Sequence, residues 1–490
     1  MNQFELNRFD KHYATVSGLD YKPGFASCVA FFVASLLHHR SVPSERRRRP
    51  IGTWRVCTAL GLFCALGLQA TGARSAGEAP QLVPQLILAA LSQHPALRAQ
   101  AGLGEAAQAD IERAKWQYWP TPSLGVERAN ASSSDPNYRG GGTVSTLRLQ
   151  QPLWTGGRLD GSLSKAEAQA MLARAELEEV RQQLALRVIQ ACSEAAAAQG
   201  KVVANEQSRD VHARLLGLVE RRTLEGASAH SDIELARSRL DGVEAELAAA
   251  RAQRDTALDK LRLLTGRSLL ADELSDLANM KTAGFPVITA SLADLLEAAR
   301  AQSPQLAKAR AKVDIAQADI AVAKSTLSPE VYLRAERQYG SYSTPSQDPQ
   351  NRIFIGLTSA FGAGLSSLSG VDAAVARQRA AIEDIQAQQL AVDEQVQSDA
   401  TLARTAKARR VSLERVRASA GGVSASWERQ FLAGRKQWQD LMNAAREETQ
   451  ADVQLVDAIA TQHLTGWRLA VLTRGLDALL AGDPQPMVKE

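Results

Sequence analysis

The sequence predicts a mainly α-helical chain that carries two β-hairpins and is built as a tandem repeat. Three observations predict it. Long stretches lack proline and place apolar residues at three- and four-residue steps. Four shorter stretches alternate apolar with polar residues. The second half of the chain repeats the first at a nearly fixed offset. Helical, strand and repeat signals of this kind are the ones periodicity reads best.

The repeat frames everything else. Leu86–Glu127 aligns with Leu295–Glu336 without a gap. Ala-Gln-Ala-Asp-Ile at 107–111 recurs at 316–320, Pro95 meets Pro304, and Pro120 meets Pro329. Further on, Gly226 meets Gly434, Asp232 meets Asp440 and Ala236 meets Ala444. Leu264-Thr265-Gly266 also reads as recurring at Leu464-Thr465-Gly466. The halves are placed at about 81–275 and 290–475, with a tail at 476–490. Each is expected to run helix, two short segments, long helix, break, helix.

The first long helix is expected over about 159–222. Leu177, Val180, Leu184, Val188 and Cys192 fall on one stripe there, a coiled-coil-like spacing. At 1.5 Å per residue such a helix is roughly 95 Å long. Its counterpart is expected over 371–419, with return helices over 231–264 and 438–472. A solvated coiled-coil rod explains these helices equally well on their own.

The short segments are different. Strands are expected over 123–131, 143–153, 331–339 and 352–361. Leu147 and Leu149 alternate with Thr146, Arg148 and Gln150; Val331, Leu333 and Ala335 alternate with Tyr332, Arg334 and Glu336. Strands of about ten residues with one apolar face fit a membrane barrel wall. Soluble hairpins capping helix bundles are the alternative. If the strands span a membrane, four cannot close a barrel, because open edges cannot sit in lipid. Three chains sharing twelve strands could.

Composition bounds the chemistry. Hydrophobic residues make up 45% of the 490, which argues against wholesale disorder. A net charge of +4 gives no electrostatic case for nucleic acid. There is no His-Glu-x-x-His, no Cys-x-x-Cys and no phosphate-binding glycine loop. No nucleophile, base and orienting group stand together, so an enzyme is the least supported class, and no cofactor is called for.

Residues 1–75 read as a leader. Arg46–Arg49 and Arg55 precede an uncharged run from Val56 to Ala73, then small residues to Ala76. That is a signal peptide over about 46–75, with the mature chain expected to start between 71 and 80. A short membrane anchor is the alternative. Residues 1–45 imply either a downstream start or an extended leader.

Pro152-Leu153-Trp154-Thr155-Gly156-Gly157-Arg158, the hairpins and the repeat resemble the outer-membrane efflux protein family typified by TolC. The second barrel-to-helix turn departs from that pattern. It reads Ser359-Ala360-Phe361-Gly362-Ala363-Gly364-Leu365. That turn, with Phe431–Ala444, is similar to the branch serving type I secretion of large adhesins or toxins. The resemblance implies a homotrimer: a twelve-stranded barrel in the outer membrane of a Gram-negative bacterium above a periplasmic α-helical barrel. It implies a passive duct joined through a periplasmic adaptor to an inner-membrane ABC transporter or a proton-driven pump. A multidrug or metal efflux duct in the same fold is one alternative function; a periplasmic coiled-coil adaptor is another.

The resemblance also supplies candidate site residues. Asp440 is expected at a periplasmic aperture, with Asp232, Lys436 and Asn443 around it. A threefold axis would turn one Asp into a ring of three, which favours cations. Asn443 stands where relatives often carry a second acid, and Lys436 where they carry an arginine that ties neighbouring helices. The local alternative for both aspartates is helix capping. Gly226, Ala227, Phe431, Gly434 and Arg435 are expected at the hairpin tips, where the family meets its adaptor. Pro152, Gly156, Gly157, Gly362 and Gly364 mark the barrel-to-helix turns.

Overall fold

A computed structural model describes residues 82–130, 134–138, 142–279, 290–343, 348–359 and 362–481. These belong to the second of two compact units, Arg74–Glu490. The expected leader and signal peptide, Ala360 and Phe361, and residues 482–490 of the tail lie outside the described residues.

The elements come in pairs. Helices α1 (Leu82–Gln93) and α2 (Pro95–Trp116) lead to strands β1 (Thr121–Arg128) and β2 (Thr143–Trp154). Helices α3 (Arg158–Leu224), α4 (His230–Thr265) and α5 (Ala271–Asn279) follow. The second half repeats them as α6 (Leu292–Gln302), α7 (Pro304–Ser325), β3 (Glu330–Tyr339), β4 (Gln350–Thr358), α8 (Ser366–Leu432) and α9 (Trp438–Arg474). A short α10 (Leu476–Leu480) closes the described chain.

Helices α3 and α8 are each 67 residues, roughly 100 Å. The leading helix of each half is two helices rather than one. His94 and Ser303 act as N-caps, and Pro95 and Pro304 take the first helical position, where a missing N–H costs nothing. Helix α8 runs 13 residues past the expected end at Ser419. Gly421 and Gly422 lower its intrinsic propensity, but Phe431 and the partly buried Trp427 pack into the core beyond them and carry the helix on. The matched Leu-Thr-Gly triplets are not equivalent in space. Gly266 is the left-handed cap of α4 (φ 66°), whereas Gly466 lies buried inside α9. The residue that ends α9 is Gly475 (φ 80°).

The four strands among the described residues form one antiparallel sheet in the order β1-β2-β3-β4. The two hairpins are therefore joined by β2–β3 pairing, with Arg148 opposite Glu336 and Leu149 opposite Ala335. The helices below follow the same order. Near the sheet α2 packs on α3, α3 on α7, and α7 on α8; farther away α4 packs on α3, α3 on α9, and α9 on α8. The unit is a four-element wall. One edge is β1 with α2 and α4, and the other is β4 with α8.

Small residues bring the central helices together. Nearly half of the buried residues of α3 are alanines. A Cβ at Gly200 would lie 2.7 Å from Val456 Cγ1, so the bare α3 backbone there seats the Val456 side chain of α9. The largest core lies midway. Leu86 and Ile87 of α1 pack on Leu184, Val188 and Ile189 of α3, with Leu261, Leu277, Trp467 and Val471. The bidentate pair Arg300–Asp393 (2.8 and 2.6 Å) clamps α6 to α8. Asp399 is fully buried. It accepts from Gln395 Nε2 at 2.9 Å and faces Arg468 at 3.3 Å, and burial holds its carboxyl above the ordinary range.

His463 of α9 is largely enclosed. Burial first, and the Arg410 charge second, lower its pKa from 6.5 to about 4. The unfolded chain therefore binds one more proton than the fold between these values, so stability falls as pH drops from about 6.5 to about 4 and levels off below. His463→Gln is expected to flatten this part of a melting-temperature-versus-pH curve measured on detergent-extracted protein.

Candidate functional site

The two helix-hairpin tips are built alike. Gly226 (φ 74°) and Gly434 (φ 71°) sit just past α3 and α8 in the left-handed region. Ala227 N–H donates to the Arg222 carbonyl at 2.8 Å and Gly226 N–H to that of Thr223 at 3.0 Å. Arg435 N–H donates to Gln430 at 2.8 Å and Gly434 N–H to Phe431 at 2.9 Å. This is the Schellman closure, which satisfies the last carbonyls of a helix and asks for glycine. Ala227 and Arg435 are exposed beside these glycines.

Phe431 is a correction to the expected contact surface. It is 2% exposed and packs with Leu215, Val219, Ala236, Trp438 and Leu441. Arg222 of the other hairpin lies over its ring at 4.8 Å and donates to its carbonyl at 3.0 Å. Phe431 thus holds the two tips level. A hydrophobic residue beside a tip glycine can serve either end, and only burial separates the two.

The equivalent aspartates differ in their partners. Each is the third residue of its helix. Asp232 accepts from the Ala229 N–H at 3.3 Å, the acidic half of a capping box. Asp440 instead faces Lys436 Nζ at 3.4 Å, and that ammonium sits 4.2 Å over the Trp427 ring. Both partners of the ion pair are partly exposed, so it stabilises by less than about 1 kcal/mol. Asn443 lies exposed on the next turn. The structure therefore brings Asp440, Lys436 and Asn443 together at one tip, with Asp232 in the other hairpin. Sequence reasoning missed Trp427, whose seat under Lys436 is set by packing across the hairpin.

The barrel-to-helix turns are solved in two ways. In the first, Gly156 (φ 59°) and Gly157 (φ 90°) lead the chain from β2 into α3 within three residues. A Cβ on Gly156 would stand 2.4 Å from Ser328 Cβ. Pro152 precedes a bulge at Leu153 that brings Trp154 opposite Val331. Arg158 is salt-bridged to Glu330, tying the start of α3 to β3. In the second turn Gly362 (φ 77°), Gly364 (φ 58°) and Leu365 (φ 61°) all take positive φ.

The sheet has two opposite faces. Leu124, Val126, Leu149, Ile353, Ile355 and Leu357 share one face and are 46–78% exposed. The other face carries Arg148 and Arg334 around Glu336 at 3.4 and 3.7 Å, with Arg334 over the Phe354 ring at 4.5 Å. Trp116, Trp119 and Trp154 lie exposed at the helical end of the strands. An apolar band against lipid, an aromatic girdle and a polar interior are the marks of an outer-membrane barrel wall. The tryptophans flanking β1 and β2 were a signal available in the sequence. Among the described residues no helix is long and apolar enough to cross a membrane.

Residues 86–267 and 295–473, well over half the chain, match the profile of the family "Outer membrane efflux protein". The chain is 28% identical over 269 residues to the alkaline protease secretion protein AprF of Pseudomonas aeruginosa, 53% of this chain and 54% of that protein. It is 31% identical over 184 residues to the outer membrane protein TolC of Vibrio cholerae, 37% of this chain and 41% of that protein. These alignments span about half or less of each relative. The structure of the outer membrane protein VceC from Vibrio cholerae superposes with a TM-score of 0.68 at 16% identity, covering 80% of this chain and 96% of that one. That likeness shows the fold.

Gly156→Ala is expected to destabilise the protein by about 1–2 kcal/mol from the left-handed backbone alone, plus the Ser328 clash. Adding Ser328→Gly should recover the steric part and leave the backbone part. Thermal unfolding of the single and double variants in detergent measures both.

Proposed function

Because this chain belongs to the outer membrane efflux protein family, we propose that three copies form the outer-membrane exit duct of a type I secretion system for a large protein substrate. The family consists of outer-membrane channels extending into the periplasm, not of enzymes, and that much holds for this chain. The trimer, the cargo and the partners are the proposed part.

The observation that carries the secretion reading is the AprF alignment, which runs through 53% of the chain and meets a protein named for protease secretion. The observation that supports the ring is the wall itself. Among the described residues its sheet ends in two unpaired edges, β1 and β4, and its apolar face is exposed to whatever surrounds it. Open strand edges are not tolerated in lipid, so copies must pair edge to edge. Twelve strands close with a lumen that the arginine-bearing face would line.

In this reading the duct is passive. A periplasmic adaptor meets the tips around Gly226, Ala227, Gly434 and Arg435, and an inner-membrane ABC transporter supplies the energy. Asp440 contributes to the aperture with Asp232 behind it. Lys436 offsets part of the Asp440 charge, and Asn443 adds none.

Deleting the gene should remove one large polypeptide from the culture supernatant, read by mass spectrometry. An unchanged set of secreted proteins with a new sensitivity to drugs or metal ions would move the reading to an efflux duct.

In planar bilayers, Asp440→Asn should lower cation selectivity and Lys436→Gln should raise it, read as opposite shifts in reversal potential. Asp232→Asn should shift it less. If Asp440→Asn changes only helix stability, the residue is a cap and not part of the aperture.

A further inference from the structure

The polar face of the sheet gathers three arginines around one acid. Arg148, Glu336 and Arg352 lie opposite one another on β2, β3 and β4, and Arg334 stands two residues from Glu336 on the same face. Arg148 and Arg334 reach the Glu336 carboxylate at 3.4 and 3.7 Å. The acid is covered while the base stays open: the Glu336 side chain is 11% exposed and that of Arg148 43%. Arg352 is exposed and donates to the side-chain amides of Gln338, at 3.3 Å, and Gln350. Neutral amides place its guanidinium without cancelling its charge. Three cations against one anion leave a net charge of +2 at this level of the sheet.

The other acids of the four strands do not offset it. Glu127 shares this face but lies opposite Val144, four residues from Arg148 and so about 13 Å farther from the helices. There it accepts from the Tyr342 hydroxyl at 3.2 Å. Glu330 stands at the foot of β3 and is salt-bridged to Arg158. The arginines also share the face with flat rings. Arg334 covers the Phe354 ring at 4.5 Å, and the Tyr332 ring occupies the place a Cβ on Gly356 would take, so it lies across β4. Charge therefore sits against the wall rather than reaching away from it.

We propose that Arg148, Arg334 and Arg352 form a basic girdle inside the barrel that receives acidic stretches of the passing polypeptide, so that the cargo of this duct is an acid-rich chain. The proposal rests on the ring and secretion readings above and adds the chemical class of the cargo. Three copies would set six net positive charges around one lumen. Rings of arginine favour anions in a pore, and low-dielectric walls focus their field. Arg148 and Arg352 sit two strand spacings apart, roughly 10 Å. That is farther than one small anion bridges and within reach of carboxylates a few residues apart on an extended chain. A guanidinium can pair a carboxylate along one edge while its flat face stays on a ring of the wall. Such contacts exchange from one carboxylate to the next as the chain moves.

The test is single-channel recording of the full chain in planar bilayers, with polyglutamate added on the side that faces the strand loops. Wild-type channels should show transient blocks that fade as salt rises, and polylysine from that side should give none. Arg352→Gln should lower the blocking rate several-fold, Arg352→Lys should keep it, and Glu336→Gln, which removes the covered acid, should raise it. In cells, Arg148→Gln with Arg352→Gln should lower export of the large polypeptide that gene deletion removes, normalised to the amount of channel in the outer membrane. Open channels that polyglutamate does not block, that polylysine blocks equally, or that respond alike as Arg352→Gln and Glu336→Gln would overturn the girdle and leave the duct standing. The expected block with full export from the doubly substituted chain would overturn the acid-rich cargo. A gene deletion that removes no secreted polypeptide would overturn the secretion reading itself, and a chain that forms no channel would overturn the ring.

Discussion

A β-sheet in lipid must pair every backbone polar group, and the described residues supply four strands with β1 and β4 at the two edges of their sheet. The rest of the molecule is arranged around that requirement. Each strand hands over to a helix in the same lateral position, so the open edges of the sheet continue downward as the open faces of α2, α4 and α8. Whatever satisfies the sheet satisfies the helices with it. The weak burial of α8 follows directly. Only eight of its 67 residues are buried, against 23 of the equally long α3, because α3 lies inside the wall and α8 at its margin.

Much of this was legible in the sequence because the signals were periodic. The alternation around Leu147–Gln150 and Val331–Glu336 marked both faces of the sheet, and the proline-free stretches marked the long helices. Gly226 and Gly434 could be placed at hairpin turns because the left-handed cap of a long helix favours glycine. What was not legible depends on tertiary contact. The second long helix was expected to end at Ser419, yet Phe431 and Trp427 anchor it well beyond that point. Gly466 read as a repeat of Gly266, yet Trp467 and Leu469 just beyond it are core residues, and the chain passes through without a turn. Phe431 read as surface, and its burial follows from the other hairpin's Arg222, 209 residues away.

The aspartates show why a repeat predicts position better than role. Asp232 and Asp440 fall at the same step of the same element, but the residue four before them decides their chemistry. Lys436 reaches Asp440, while the corresponding Ser228 is too short to pair, and Asp232 turns to the backbone instead. Two copies of one motif have thus diverged into a helix cap and an ion pair without any change in fold. The barrel-to-helix turns diverge likewise. Gly156-Gly157 completes in three residues what the second half does with a longer, more strained path through Leu365.

The equal length of α3 and α8 has an evolutionary consequence. The two hairpins share a single ruler, because Arg222 and Phe431 can meet only while both arms reach the same depth. An insertion in one arm would displace its tip by about 1.5 Å per added residue and part them. Lengthening or shortening is therefore heritable only as a matched pair, made in both halves and in both directions of each hairpin. How far this protein reaches into the periplasm is a property of the duplication rather than of either half, and it should drift among descendants in synchronised steps.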